Sequence, residues 1–307
     1  MGSESTGIEE LDHFRSISKK LKKTFFKKPN ETEALDSYTT LAREWENSGL
    51  HSYAGLCWTA AAKCENSLGN ATGEVTDLVK SARQYASAEE NNVRVGSVRF
   101  GFDNLQASLN SYSSAAAKYE KKSSLVVTLN LEVVEFLEKI GRGDLAEDYL
   151  KEALNHCSNG GDFMKVHCLN LLAKKFIEEA DYLPALNTFT EIHNSVVKLP
   201  PNAAYADILL KCEISRVLLL LILKPPPQKL TPELAKILER YTWGDRNDDS
   251  LKNCKMSEYL FVLLESLVTT CQSADKSYIV DLEGQLWPFL DVNQKTLLHI
   301  LVRIYYP

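Results

Sequence analysis

A set of small and large apolar residues recurs along this chain with the same offsets, and this constrains the fold more than any other feature. Tyr38, Leu41, Ala42 and Trp45 share one face of a helix, and Ala54, Trp58 and Ala61 share one face of the next. Leu169, Leu172, Ala173 and Phe176 repeat the first set, and Ala185, Phe189 and Ile192 repeat the second. A weaker copy has Val133, Val134 and Leu137, then Ala146, Leu150 and Ala153. A fourth is split, with Leu78, Ala82 and Tyr85 set apart from Ser108, Tyr112 and Ala115 by the extra residues of 88–101. Small residues let two antiparallel helices approach, and Trp45, Trp58, Phe176 and Phe189 fill the space beside them as core. A lone pair cannot bury both of its faces, so such pairs must stack. Strand-length alternation is hard to find anywhere in the sequence.

These offsets match the tetratricopeptide signature, an aromatic-and-small first helix followed by A-x3-F on the second. The expected fold is therefore all-α, a tetratricopeptide-like solenoid of helical hairpins with C-terminal helices packed on it. Three regions are expected: a basic amphipathic N-terminal helix over 1–30, the repeats over 31–199, and a C-terminal helical region over 203–307.

The C-terminal region opens on an unusual stretch, "CEISRVLLLLILKPPPQKL", Cys212 to Leu230. Its uninterrupted apolar run, Val217 to Leu223, is far short of the ~20 residues that cross a bilayer. The run reads as the end of a helix over Ala203 to Leu223, buried all round, with Leu218, Leu220 and Leu221 in the core. Arg216 and Lys224 are expected to reach water at its two ends. Pro225, Pro226 and Pro227 stop the helix, and Thr231 caps the next, with Pro232 and Glu233 in its first turn.

Composition narrows the function classes. Net charge is −6, so nucleic acid is not the expected partner. No signal-peptide core is visible, and seven cysteines without a C-x-x-C pair argue against a disulfide framework or a zinc site. These features lead to the expectation of a cytoplasmic protein. No phosphate loop, H-E-x-x-H or nucleophile elbow is present, so neither an enzyme nor a cofactor is expected. His156-Cys157 and His167-Cys168 invite a metal reading, but adjacent residues point about 100° apart on a helix, and no metal is expected there. Arg142-Gly143-Asp144 falls where the third pair needs a glycine turn.

One local charge cluster stands out. Leu11, Phe14, Leu21 and Phe25 fall at helical spacing, while Lys19, Lys20, Lys22 and Lys23 cover the remaining surface. Phe14, Phe25, Phe26 and these four lysines are the candidate partner-binding residues. The other reading of the segment is a helix lying on its own array with a solvated basic face. Met1-Gly2-Ser3-Glu4-Ser5-Thr6 fits the loose myristoylation pattern, so membrane contact is peripheral at most.

Three segments carry a resemblance. Asp207 to Trp243, Leu286 to Val302 and Ser18 to Ala34 resemble, in the same order, distinctive parts of the 40-kDa huntingtin-associated protein family. The resemblance implies a non-enzymatic scaffold that binds huntingtin, a very large HEAT-repeat protein, one-to-one and stabilises its conformation. It also implies a link to early endosomes, indirectly through a Rab GTPase, with the nucleus as a further location. Vertebrate members carry a proline-rich insert before the Asp207 helix, where this chain has only Leu199-Pro200-Pro201-Asn202. The competing reading is a fusion-type adaptor bridging a membrane coiled-coil complex to an ATPase. The Asp207–Trp243 segment, which resembles only the first family, separates the two.

Overall fold

The computed structural model describes residues 3–21, 30–96, 103–120, 122–157, 163–200, 202–226, 228, 230–244, 251, 253–273 and 276–306, with residues 3–10 described by their backbone alone. Among these residues the chain is all-α. It forms two compact units, Met1–Cys157 and Ser158–Pro307.

The first unit holds α1 (Ser3–Leu21), α2 (Glu31–Asn47), α3 (His51–Ser67), α4 (Ala71–Arg94), α5 (Asp103–Ala116), α6 (Ser124–Lys139) and α7 (Ala146–His156). The second holds α8 (Phe163–Glu178), α9 (Tyr182–Val196), α10 (Ala203–Leu223), α11 (Pro232–Trp243), α12 (Glu258–Gln272), α13 (Ile279–Leu286) and α14 (Val292–Tyr305).

Three of the helix pairs share one turn. Each first helix ends with a residue in the left-handed region, Gly49 (φ +71°), Gly141 (φ +70°) or Ala180 (φ +58°). In each pair the next amide reaches back to the carbonyl five residues earlier: Leu50 to Trp45 (2.9 Å), Arg142 to Leu137 (2.8 Å) and Asp181 to Phe176 (2.8 Å). This is the Schellman closure, which satisfies carbonyls that a helix end would otherwise leave bare. Counting nine residues on from Trp45, Leu137 and Phe176 reaches Ala54, Ala146 and Ala185, each essentially without exposed surface. Trp58, Leu150 and Phe189 follow four residues later and are likewise buried. The apolar repeat read from the sequence therefore coincides with a repeated backbone turn, and the turn sets where the second helix begins. In the third pair the glycine that the turn needs is Gly141; Gly143 instead opens a single 3-10 turn, where Arg142 pairs with Asp144 at 2.9 Å.

Within the first unit α3, α4 and α5 lie close because their facing residues are small. Ser81 donates to the Gly55 carbonyl and Ser108 to the Ala82 carbonyl, each at 2.9 Å. A methyl group at Gly55 would sit 3.0 Å from the Tyr85 ring.

In the second unit α10 is central and packs on α9 and α14. Every residue from Cys212 to Ile222 is buried, so this helix has no wet face over its last three turns. Leu218, Leu220 and Leu221 are in this core. Lys224, in the left-handed region (φ +44°), ends the helix ahead of the prolines. The Lys224 ammonium lies 3.7 Å from the Tyr305 ring centroid, and the Tyr305 hydroxyl donates to the Leu221 carbonyl at 3.2 Å. The last helix is thereby tied to the end of α10.

Arg216 does not reach water. It is 2% exposed, and its guanidinium pairs with Glu213 (3.1 Å) and Glu233 (3.0 Å). Glu213, three residues before it on the same buried face, also accepts from Arg240 and, at 3.2 Å, from the Tyr241 hydroxyl. A charge this deep is retained only where it is paired. Here α10 and α11 join one buried carboxylate, Glu213, and two buried guanidiniums in one network that opens to solvent at Glu233, beside His193 of α9, which lies 3.7 Å from Glu233. Burial, with the Arg216 charge adding to it, holds the His193 imidazole below its ordinary pKa.

Candidate partner-binding surface

In the first unit α1 lies on α2 through its apolar side. Ile17 is buried in the core formed with Tyr38, Trp45 and Trp58. Phe14 is half-buried there, its ring centroid 5.3 Å from Tyr38 and 6.5 Å from Trp45, and the Ser18 hydroxyl meets the Tyr38 hydroxyl at 2.9 Å. Phe14 is thus occupied by the chain's own core. Ile17, the most deeply buried of the described side chains of α1, was not among the apolar positions read from the sequence, although it sits one helical step from both Phe14 and Leu21.

Lys19 and Lys20 project outward in the last turn of α1, where cations suit the helix dipole. Lys20 comes within 3.9 Å of Glu33, but both side chains are mostly exposed, so this pair binds weakly. Lys22, Lys23, Phe25 and Phe26, and Gly2 of the acylation pattern, lie outside the described residues.

The second unit displays an aromatic patch that the sequence reading did not single out. Tyr259, Trp287, Phe289 and Val292 are 43–78% exposed. Tyr259 and Phe289 meet with ring centroids 5.8 Å apart, and the Lys295 ammonium lies 5.2 Å from the Trp287 ring centroid. The backbone explains why these rings face outward. Pro288 sits in a 3-10 turn, Trp287–Phe289, that closes α13. Asp291 then caps α14 in a reciprocal capping box with Gln294. Gln294 is buried and also donates to the Lys211 carbonyl (3.1 Å) and the Ser215 hydroxyl (3.2 Å), while Lys211 pairs with Asp291 at 2.8 Å. The turn is pinned to α10 on one side and holds its rings in solvent on the other. Exposed aromatics clustered in this way mark protein contact surfaces. The visible signal was Trp-Pro-Phe, two aromatics flanking a proline that ends a helix.

Among the described residues, no group of three or more His, Cys, Asp or Glu side chains is placed to hold a metal ion. Among them, no helix is long and apolar enough to cross a membrane.

No family model matches the chain. Two curated relatives match it along nearly its whole length. The 40-kDa huntingtin-associated proteins of rat and of mouse are each 29% identical to it over 352 aligned positions, which cover 95% of this chain and 92% of theirs. The likeness is to the 40-kDa huntingtin-associated proteins. It runs through both compact units, so it is not carried by one shared repeat. The aligned stretch is longer than the chain's 307 residues, so the huntingtin-associated relatives carry segments with no counterpart here.

Proposed function

We propose that this chain binds huntingtin as a non-enzymatic scaffold, one-to-one, and helps to hold that larger solenoid in one shape. The observation that carries this reading is the likeness to the 40-kDa huntingtin-associated proteins, which extends over 95% of this chain. Those relatives are named for an association and not for a reaction. Two surfaces suit an association: the aromatic patch around Trp287 and Phe289, and the basic end of α1 at Lys19 and Lys20. In this reading the aromatic patch supplies the desolvated anchor and the lysines steer the encounter. Recruitment of the complex to early endosomes, indirectly through a Rab GTPase, is the finer part of the proposal, and it rests on the family resemblance alone.

The test is affinity purification of the tagged full-length chain from its own cells, with identification of what co-purifies. A stoichiometric huntingtin band is the expected result. Recovery of a membrane coiled-coil complex with an ATPase, and no huntingtin, overturns the proposal in favour of a fusion-type adaptor.

A further inference from the structure

The first unit contains a groove where α5 meets α6 and α7. Its position follows from side-chain size. Gly55, Ser81, Ala82 and Ser108 bring α3, α4 and α5 close together, whereas Tyr112, Tyr119 and Tyr149 stand at the next junction and hold it open. The space between is about 520 Å³, large enough for several side chains of a bound segment.

The carboxylates of the lining are Asp148 and Glu152, one turn apart on α7 beside His156, and among the described residues no lysine or arginine lines the groove. Asp148 is exposed and has no ion-pair partner among the described residues. Glu152 meets Asn155 and His156, each at 3.2 Å. The lysines on either side are spent elsewhere: Lys151 on Glu147 (2.6 Å) and Lys118 on Glu74 (2.9 Å). Asn130, only 8% exposed, gives its amide nitrogen to the Val126 carbonyl at 2.9 Å, which leaves its amide oxygen as an acceptor at the groove wall. The half-buried rings of Tyr119 and Tyr149 beside these carboxylates suit a cation on an aliphatic stem, with the stem lying along the rings and the charge placed at the acids.

We infer that the groove formed by α5, α6 and α7 is a docking site for a short basic segment of a partner protein, one that presents lysine or arginine to Asp148 and Glu152 across Tyr119 and Tyr149. The inference rests on the groove itself and does not depend on which protein supplies the segment.

The probe is a fluorescein-labelled peptide of about ten residues with alternating lysine and leucine, an extended reach of roughly 33–36 Å, compared with a counterpart carrying glutamate in place of lysine. Fluorescence anisotropy with the full chain should show the basic peptide binding about tenfold or more tightly than the acidic one, with affinity falling as salt rises. The double variant Asp148→Asn, Glu152→Gln should weaken the basic peptide by about tenfold. A charge-matched control on exposed positions of α2, Asp36→Asn with Glu44→Gln, should leave its affinity within about twofold. Hydrogen exchange should show added protection in 112–119 and 146–156 when the peptide is bound. Equal binding of the two peptides, no binding, equal loss in the groove and control variants, or protection confined to other helices would each overturn the assignment.

Discussion

Glu213 shows how an apolar-looking helix can conceal a polar obligation. Its carboxylate is shared by Arg216 and Arg240 and by the Tyr241 hydroxyl, in a setting with almost no solvent. The sequence reading placed Arg216 at a wet end because it flanks seven apolar residues. The overlooked signal was Glu213, three residues earlier, since charges at that spacing on a helix are neighbours. Removing one member of a buried pair is far worse than removing all of them. Glu213→Gln should therefore lower unfolding free energy by about 3–5 kcal/mol, whereas the triple variant Glu213→Leu, Arg216→Met, Arg240→Met should come close to the original or exceed it. Urea denaturation of both variants checks this, and comparable losses in the two would contradict it. His193 gives the same neighbourhood a pH dependence. Its folded pKa is depressed, by burial first and by the Arg216 charge next, with Glu233, Glu213 and Asn194 offsetting part of the shift. The unfolded chain then takes up a proton near pH ~6.5 that the folded chain still refuses. Stability contributed by this group is complete above that pH and is lost as pH falls, by at most about 1.4 kcal/mol per pH unit. His193→Gln should flatten the dependence between about pH 5 and 7 when urea midpoints are compared across that range.

At the scale of elements, the repeat was legible because packing writes it twice, once as small residues where helices cross and once as large residues beside them. Ala54, Ala146 and Ala185 are buried at equal distances from Trp45, Leu137 and Phe176. The turn chemistry was legible only in part. Glycine marks two of the three shared turns, but Ala180 takes the left-handed conformation in the third with no sequence sign of it. An alanine there is strained by its Cβ, so the closure of the Phe176 turn must be held by the packing around it. Ala180→Gly should raise stability by up to about 1 kcal/mol, read as a higher urea midpoint with an unchanged slope. The groove at α5 to α7 was not legible, because it depends on how far apart two hairpins are held, which periodicity within one helix does not encode. Helix α10 makes the opposite case. Its composition alone excluded both a bilayer span and an exposed face, and Leu220, 1% exposed, lies in the centre of the second unit. Leu220→Ala should cost roughly 2–5 kcal/mol. Folded yield should fall, while the protein that does fold binds its partner as before; a variant of normal yield that no longer binds would make this helix a docking face.

The whole molecule combines deep cores with aromatic surface left in solvent. Tyr259, Trp287 and Phe289 leave about half of their surface in water, so only part of their apolar area serves their own unit. A partner that covers them stabilises the folded chain by mass action, by about 2.7 kcal/mol when it is present at a hundred times its dissociation constant. The sequence indicated the partner only through the family resemblance. The surface proposed to receive it lies at a helix end fixed by Pro288, Asp291 and Gln294, and no apolar periodicity marks such a place. This division between core and surface separates two kinds of variant. Trp287→Ser with Phe289→Ser should lower the melting temperature of the free chain only modestly, because about half of each ring is already in water. With huntingtin present, the same variant should lose most of the partner-driven rise, because truncating buried aromatic anchors weakens binding by about 2 kcal/mol or more, roughly thirtyfold. Thermal melts of the original and the double variant, each with and without the partner, make the comparison. A fall as large as that of a core truncation such as Leu220→Ala would show the rings to be structural, and an undiminished rise would show that the patch is not the contact surface.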